Sequence, residues 1–194
     1  LVEGGRAVGV ALEGGEEIRG KRVVSNMDVK RTFLKCVDAG ELPAAFVKRV
    51  KAFKIRGSSG KVNIALDGVP KFTALPEGSP CLRGDLHFTD SIERLELAYD
   101  DWKAGRWSRD PFQDTMIPTL IDPTMTPPGK HFMSCFVQYC PPRIEGGDWT
   151  DAERDAFGGA VIEQIETYAP GFKSLILHAE VRTPRELEAE VGLT

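Results

Sequence analysis

In the run "SSGKVNIAL" at residues 58–66, the apolar residues Val62, Ile64 and Leu66 recur at every second position. A strand turns successive side chains to opposite faces, so this spacing specifies a β-strand with one apolar face. That face has to be buried against other elements, and further β-type runs follow in "DLHFT", "DTMIPTLI", "HFMSCFVQY" and "SLILHAEV". Several successive strands lack the crossover helix that parallel pairing demands. The expected fold class is therefore α+β, with a mixed, mostly antiparallel sheet and helices packed on one face.

Helix signals fill the intervals. "SNMD" offers Asn26 or Asp28 as a cap for a short helix through "VKRTFLKCV", and "LPAAFVKRVKAF" begins with Pro43 in its first turn. "SIERLELAYDDWKAG" starts at Asp90 or Ser91, carries Ile92, Leu95, Ala98, Tyr99 and Trp102 on one face, and stops at Gly105. The long run "TDAERDAFGGAVIEQIETYA" opens with Thr150 and Glu153 in capping-box spacing, and "TPRELEAEVG" places Pro184 at its first position. "SLILHAEV" reads as a buried strand, and the prolines of "DPTMTPPGK" exclude regular structure there. Near the start, "AVGVAL" and the segment leading into "KRVV" flank "EGGEE", where Gly14 and Gly15 supply the positive φ of a hairpin turn. A lone hairpin is marginal in water, so this one calls for a larger sheet.

Composition narrows the function classes. The chain has 194 residues, 41% hydrophobic and 28% charged, with a net charge of -4 and Lys and Arg scattered among Asp and Glu. That balance argues against nucleic acid as a partner, and no apolar run approaches the ~20 residues of a membrane span. The first residues do not form a signal peptide, so a secreted location is not expected. Cys36, Cys81, Cys135 and Cys140 show no metal-ligand spacing and read as buried reduced thiols, giving a cytoplasmic or organelle-matrix location, with peripheral membrane attachment left open. No metal site is expected.

Catalytic motifs are absent. His87, His131 and His178 each fall in a strand without an acidic or cysteine partner at motif spacing, so each reads as a hydrogen-bonded imidazole. There is no GxSxG elbow, no GxGxxG turn and no GxxxxGK[ST] loop. Met125, Met133, Phe132 and Phe136 are candidates for an apolar pocket or for core. From spacing alone no catalytic residue is assigned.

Several blocks together resemble the phytoene dehydrogenase-related flavin oxidoreductases of the carotenoid desaturase and flavin amine oxidase superfamily. "GRAVGVALEGGEEIRGKRVVSNMDVKRTFLK" is similar to the stretch in which that family's chain leaves its FAD domain for its substrate domain. "SSGKVNIALDGVPKF", "LELAYDDWKAGRWSRDP", "IPTLIDPTMTPPGKHFMSCFVQYCPP" and "APGFKSLILHAEVRTPRELEAEVGLT" resemble the substrate-domain blocks that follow, "DPTMTPPGKH" most specifically. The family's glycine-rich FAD segments do not occur here.

The resemblance implies that residues 1–28 are a remnant hairpin and crossover strand of an FAD-binding domain, and that 29–194 are a substrate-binding domain from a larger protein. It implies an FAD-dependent oxidoreductase in which an apolar or amine substrate gives a hydride to the flavin, the protein orienting the substrate and excluding water. On this reading Ser25 and Asn26 are the cofactor-side residues, Asn26 being open equally to a helix-cap role, and Phe132, Phe136 and Ile176 line the substrate. The chain by itself is expected neither to bind FAD nor to turn over. Its partners would be the substrate and the missing FAD domain, and a homodimer could form through the face that domain would cover. The alternative is a self-standing α+β module that binds a ligand or protein without redox activity.

Overall fold

The computed structural model describes residues 1–193. They form two compact units, one of residues 1–55 with Leu193 and one of residues 56–192.

The first unit opens with two small antiparallel ribbons. β1 (Val2–Glu3) pairs with β2 (Arg6–Ala7), and β3 (Gly9–Ala11) pairs with β4 (Glu17–Arg19). The expected hairpin is the second ribbon. Gly15 N–H closes its turn on the Leu12 carbonyl at 2.9 Å and lies at φ 84°, the left-handed region where a side chain is costly. Gly14 is not at positive φ, so one glycine suffices. The β-run expected through Val23 and Val24 does not form: residues 20–27 pair with no strand among the described residues, and Val24 is 91% exposed. A strand without a ladder leaves its backbone groups to water.

Two helices complete this unit. α1 (Val29–Lys35) is capped by Asp28, whose Oδ1 accepts from Lys30 N at 2.8 Å and Arg31 N at 3.0 Å. α2 (Ala44–Ala52) has Pro43 as its N-cap and buries Val50, and Phe33 meets Phe46 edge-on at 5.0 Å between the two helices.

The second unit is built on five strands. In chain order they are β5 (Ser59–Leu66), β6 (Leu86–His87), β7 (Phe112–Met116), β8 (His131–Gln138) and β9 (Ile176–Arg182). Their spatial order is β6-β7-β8-β5-β9, and every neighbouring pair is antiparallel. The helices are α3 (Ile92–Lys103), α4 (Asp151–Tyr168), the single turn α5 (Phe172–Leu175) and α6 (Pro184–Val191). The α+β class and the antiparallel sheet stand as expected.

Register decides which side chains meet. Val62 stands opposite Cys135 and Val181, and Ile64 opposite Met133 and Ala179. This row of the sheet is sealed by Phe157, Val161 and Ile165 of α4, all fully buried. Burial of side chains of this size contributes about 1.5–3 kcal/mol each. The helix comes close because glycines allow it: a Cβ on Gly60 would stand 2.8 Å from the Phe157 ring, and one on Gly158 would overlap the Val181 side chain. Phe157 is further held edge-on by Trp107 and Trp149, each at 5.8 Å.

Some local expectations are corrected. The strand expected at "DTMIPTLI" starts earlier, at Phe112, and stops before Pro118, which has no N–H for a ladder and instead begins a 3₁₀ turn. A second 3₁₀ turn at Pro123–Met125, capped by Asp122, occupies the proline-rich loop. β9 is an edge strand, and Leu177, 54% exposed, is the residue left unpaired at the bulge between Ile176 and His178. On α3, Ala98 and Trp102 are buried but Ile92 is exposed. Thr150 caps α4 by accepting from Glu153 N at 3.2 Å, while the Glu153 carboxylate takes the Trp107 indole N–H at 2.8 Å in place of the box's return bond. The complete capping box belongs to Thr183 and Glu186 on α6. Cys135 and Cys140 are buried free thiols, whereas Cys36 and Cys81 are exposed.

Candidate functional site

The sheet of the second unit has two unlike faces. One is the core face just described. The other carries Lys61, Asn63 and Ala65 from β5, Phe132, Ser134 and Phe136 from β8, Asp114 and Met116 from β7, and His178, Glu180 and Arg182 from β9. The residues of β5 on this face are half-buried, and Phe136 and Met116 are 41% and 38% exposed. A sheet face that holds large apolar side chains without covering them is a surface built for a further contact.

Polar groups thread this apolar ground in register. His87 Nδ1 lies 3.0 Å from Asp114 Oδ1, and its ring stacks on Phe112 at 5.4 Å. Across the sheet in the same row come Phe136, Lys61 and Arg182. Lys61 Nζ donates to Ser134 Oγ at 2.5 Å, and burial draws its pKa down. Asn63 Nδ2 donates to Glu180 Oε2 at 3.1 Å, and Arg182 bridges Glu180 at 2.8 Å and Glu190 at 2.9 Å. The Arg182 hydrogen bond, with that of Asn63, holds the Glu180 carboxylate below the usual range. Asn63 Oδ1 and Arg182 Nε are buried and have no hydrogen-bond partner among the described residues.

The residues expected from sequence fall in different places. Phe132 and Phe136 share the open face, two residues apart on β8. Ile176 pairs with Leu66 past a bulge in β9 and packs against the core, so it is not brought together with them. Ser25 and Asn26 belong to the first unit: Ser25 Oγ sits 2.8 Å from Thr32 Oγ1, Asn26 is exposed, and the cap of α1 is Asp28. Met133 is core and Met125 is exposed. His131 bonds Thr119 at 3.0 Å, and His178 is exposed. The acidic partner of His87 escaped a reading by spacing because Asp114 meets it only through strand pairing. Lys61 and Asn63 left one trace in the sequence: they interrupt the apolar alternation of β5 and must therefore face away from Val62 and Ile64.

The start of α1, next to Ser25 and Asn26, does not fit the pyrophosphate of a dinucleotide cofactor. Such a group needs free N–H donors at a helix start beside a glycine-rich turn. The first N–H groups of α1 are already taken by the Asp28 carboxylate, whose charge opposes a phosphate. No cluster of three His, Cys, Asp or Glu residues able to hold a metal occurs among the described residues. A cavity of about 480 Å³ lies apart from the open face, between residues 69–83 and Leu120. Phe72, Leu75 and Leu82 line it together with the cation Arg83, and Lys71 and Glu77 at its rim pair with each other at 3.5 Å.

No family model matches the chain. It is 37% identical over 97% of its length to a pyridine nucleotide-disulfide oxidoreductase domain-containing protein 2 of Rattus norvegicus, covering 34% of that protein. It is 28% identical over 95% of its length to the chloroplastic prolycopene isomerase of Daucus carota, covering 28% of that protein. A crystal structure of an oxidoreductase from Methanosarcina mazei aligns with a TM-score of 0.48 and 20% identity, over 94% of this chain and 35% of that one. The homologues of this chain are thus an oxidoreductase-domain protein and carotenoid-related isomerases, in keeping with the resemblance read from the sequence. The chain spans about a third of the length of these curated relatives.

Proposed function

We propose, with this kinship as premise, that the chain is the substrate-binding part of a larger FAD-dependent oxidoreductase of the phytoene dehydrogenase-related type. The observation that carries the reading is the two-faced sheet. One face is sealed by α4, and the other presents Phe132, Phe136 and Met116 with a few fixed polar groups, the composition expected of a wall against which an apolar substrate is oriented. On this reading residues 1–28 are the edge of the FAD domain and 29–194 the substrate side. The FAD would be held by other parts of the larger protein. What these residues contribute is binding, orientation and exclusion of water. Ser25 and Asn26 would lie toward the cofactor side, and Phe132 and Phe136 toward an apolar or amine substrate.

The test is a visible absorption spectrum of the protein expressed from the complete reading frame around these residues, beside that of the 194-residue chain. Flavin bands in the longer protein and none in the shorter are expected, followed by bleaching with apolar substrates. A colourless long protein, or tight stoichiometric FAD binding by the short chain, would overturn the proposal. No helix among the described residues is long and apolar enough to cross a membrane.

A further inference from the structure

On the open face one cation stands apart from the carboxylates. Asp114 faces His87, and Arg182 is shared by Glu180 and Glu190. Lys61 forms no ion pair among the described residues, and its hydrogen-bond partner is the neutral Ser134 hydroxyl. A half-buried ammonium without a counter-charge is costly to hold, because desolvation is not offset by attraction. Its lowered pKa expresses that cost.

The neighbours of Lys61 also have unused hydrogen-bonding capacity, and most of it is donating. Ser134 Oγ accepts from Lys61, which leaves its own proton free to donate. Arg182, directly opposite Lys61 on β9, has a buried Nε without an acceptor among the described residues. Two N–H groups of Lys61 remain as well. Directly opposed side chains on a sheet stand about 5 Å apart at Cβ, so one small group can reach several of these donors together. Phe136 is the residue opposite Lys61 on its other side, with Phe132 and Met116 beyond it.

We propose that Lys61 and Ser134 form an anchoring subsite for the carboxylate head of an amphipathic molecule whose hydrocarbon body lies along Phe136, Phe132 and Met116. The inference rests on the reading of the open face as the substrate side, and it narrows the substrate class. A plain hydrocarbon leaves the Lys61 charge unanswered, and an amine repels it. A carboxylate accepts from Lys61 and Ser134 and supplies Lys61 with a counter-charge.

The experiment is calorimetric titration of the full-length protein with octanoate, octanol and octylamine, a readout that requires no turnover. Octanoate should bind about 10- to 100-fold more tightly than octanol, the range of one charge-assisted hydrogen-bond set. Lys61→Met should bring octanoate down to the octanol level, and Lys61→Arg should keep the preference. If Lys61→Met does not fold, Ser134→Ala carries the test, since it removes a donor and leaves the charge: octanoate should weaken and octanol should not. Equal binding of octanoate and octanol, unchanged by these variants, would overturn the subsite and leave the apolar wall standing. Preference for octylamine would also overturn it. Binding of none of the three by a flavin-loaded protein would overturn the wall and the subsite together.

Discussion

The polar chain buried beneath the sheet gives the sharpest stability prediction. Gln113 is fully buried on the core face of β7, and its Nε2 donates to Gln164 Oε1 of α4 at 2.5 Å. Thr115 Oγ1 donates to Gln113 Oε1 at 3.0 Å, and Gln164 Nε2 donates to Asp110 Oδ1 at 2.6 Å and to the Pro111 carbonyl at 3.0 Å. Gln113→Leu keeps the volume approximately but strands Gln164 Oε1 and the Thr115 hydroxyl. Each orphaned buried group costs about 1–3 kcal/mol and the apolar replacement returns about 1–2 kcal/mol, so two orphaned groups at the middle of these ranges leave a net loss of about 2.5 kcal/mol. Trp102, Trp107 and Trp149 all belong to residues 56–192, so their fluorescence during urea unfolding reports on this unit alone. With a slope of about 2 kcal/mol per molar, the midpoint should fall by about 1–2 M. The double variant Gln113→Leu/Gln164→Leu should cost less than the sum of the singles by at least about 1 kcal/mol, because each removes a partner the other lacked. A neutral Gln113→Leu, or strict additivity in the double variant, would show that this network does not couple strand to helix.

Gly158→Ala should destabilise by about 1–3 kcal/mol, read from the same midpoint, because the added methyl meets the Val181 side chain across the helix–strand contact. The neighbouring Gly159→Ala meets open space and should be neutral or slightly stabilising through helix propensity. Thiol titration with a disulfide reagent near pH 8 should find Cys36 and Cys81 reactive in the folded chain, and Cys135 and Cys140 only after denaturation. Burial pushes Cys135 up to about 12 and raises Cys140 as well, so neither forms the attacking thiolate at that pH. Glu166 is held below its usual carboxylate range by the N–H groups of Gly171 and Lys173, each at 2.8 Å. A depressed folded value means that its contribution is complete above the unfolded value and is lost as pH falls through the folded one. Glu166→Gln should therefore lower stability at neutral pH, and the difference from the unmodified chain should close in acid.

The part of this architecture legible in the sequence is the part governed by local rules. Val62, Ile64 and Leu66 gave the pleat of β5, the pairs Asn26/Asp28 and Asp90/Ser91 bracketed the helix starts that Asp28 and Ser91 make, and Pro184 gave the first turn of α6, because each depends on residues within one turn or one strand. The apolar run 174–181 misled for a definite reason: apolar content does not tell a central strand from an edge strand, and β9 has β5 on one side only. Ile176 and Phe136 show the same limit at the site. Both are apolar residues in strands, yet pairing register sends Ile176 against Leu66 in the core and Phe136 beside Lys61 on the open face.

The chemically distinctive groups were hidden by the same cause. His87 and Asp114 lie on separate strands, and the pair exists only because β6 and β7 align. Lys61 and Ser134 are 73 positions apart and meet through the β5–β8 register. A shift of that register by one residue would turn Lys61 into the core against Phe157 and bring Val62 and Ile64 out to water. The apolar stripe that makes β5 recognisable therefore also fixes the polar stripe behind it. Burial of Val62, Ile64 and Leu66 under α4 is the force that holds the Lys61 charge on the open face, and any substitution that loosens the core row should weaken head-group binding without touching it.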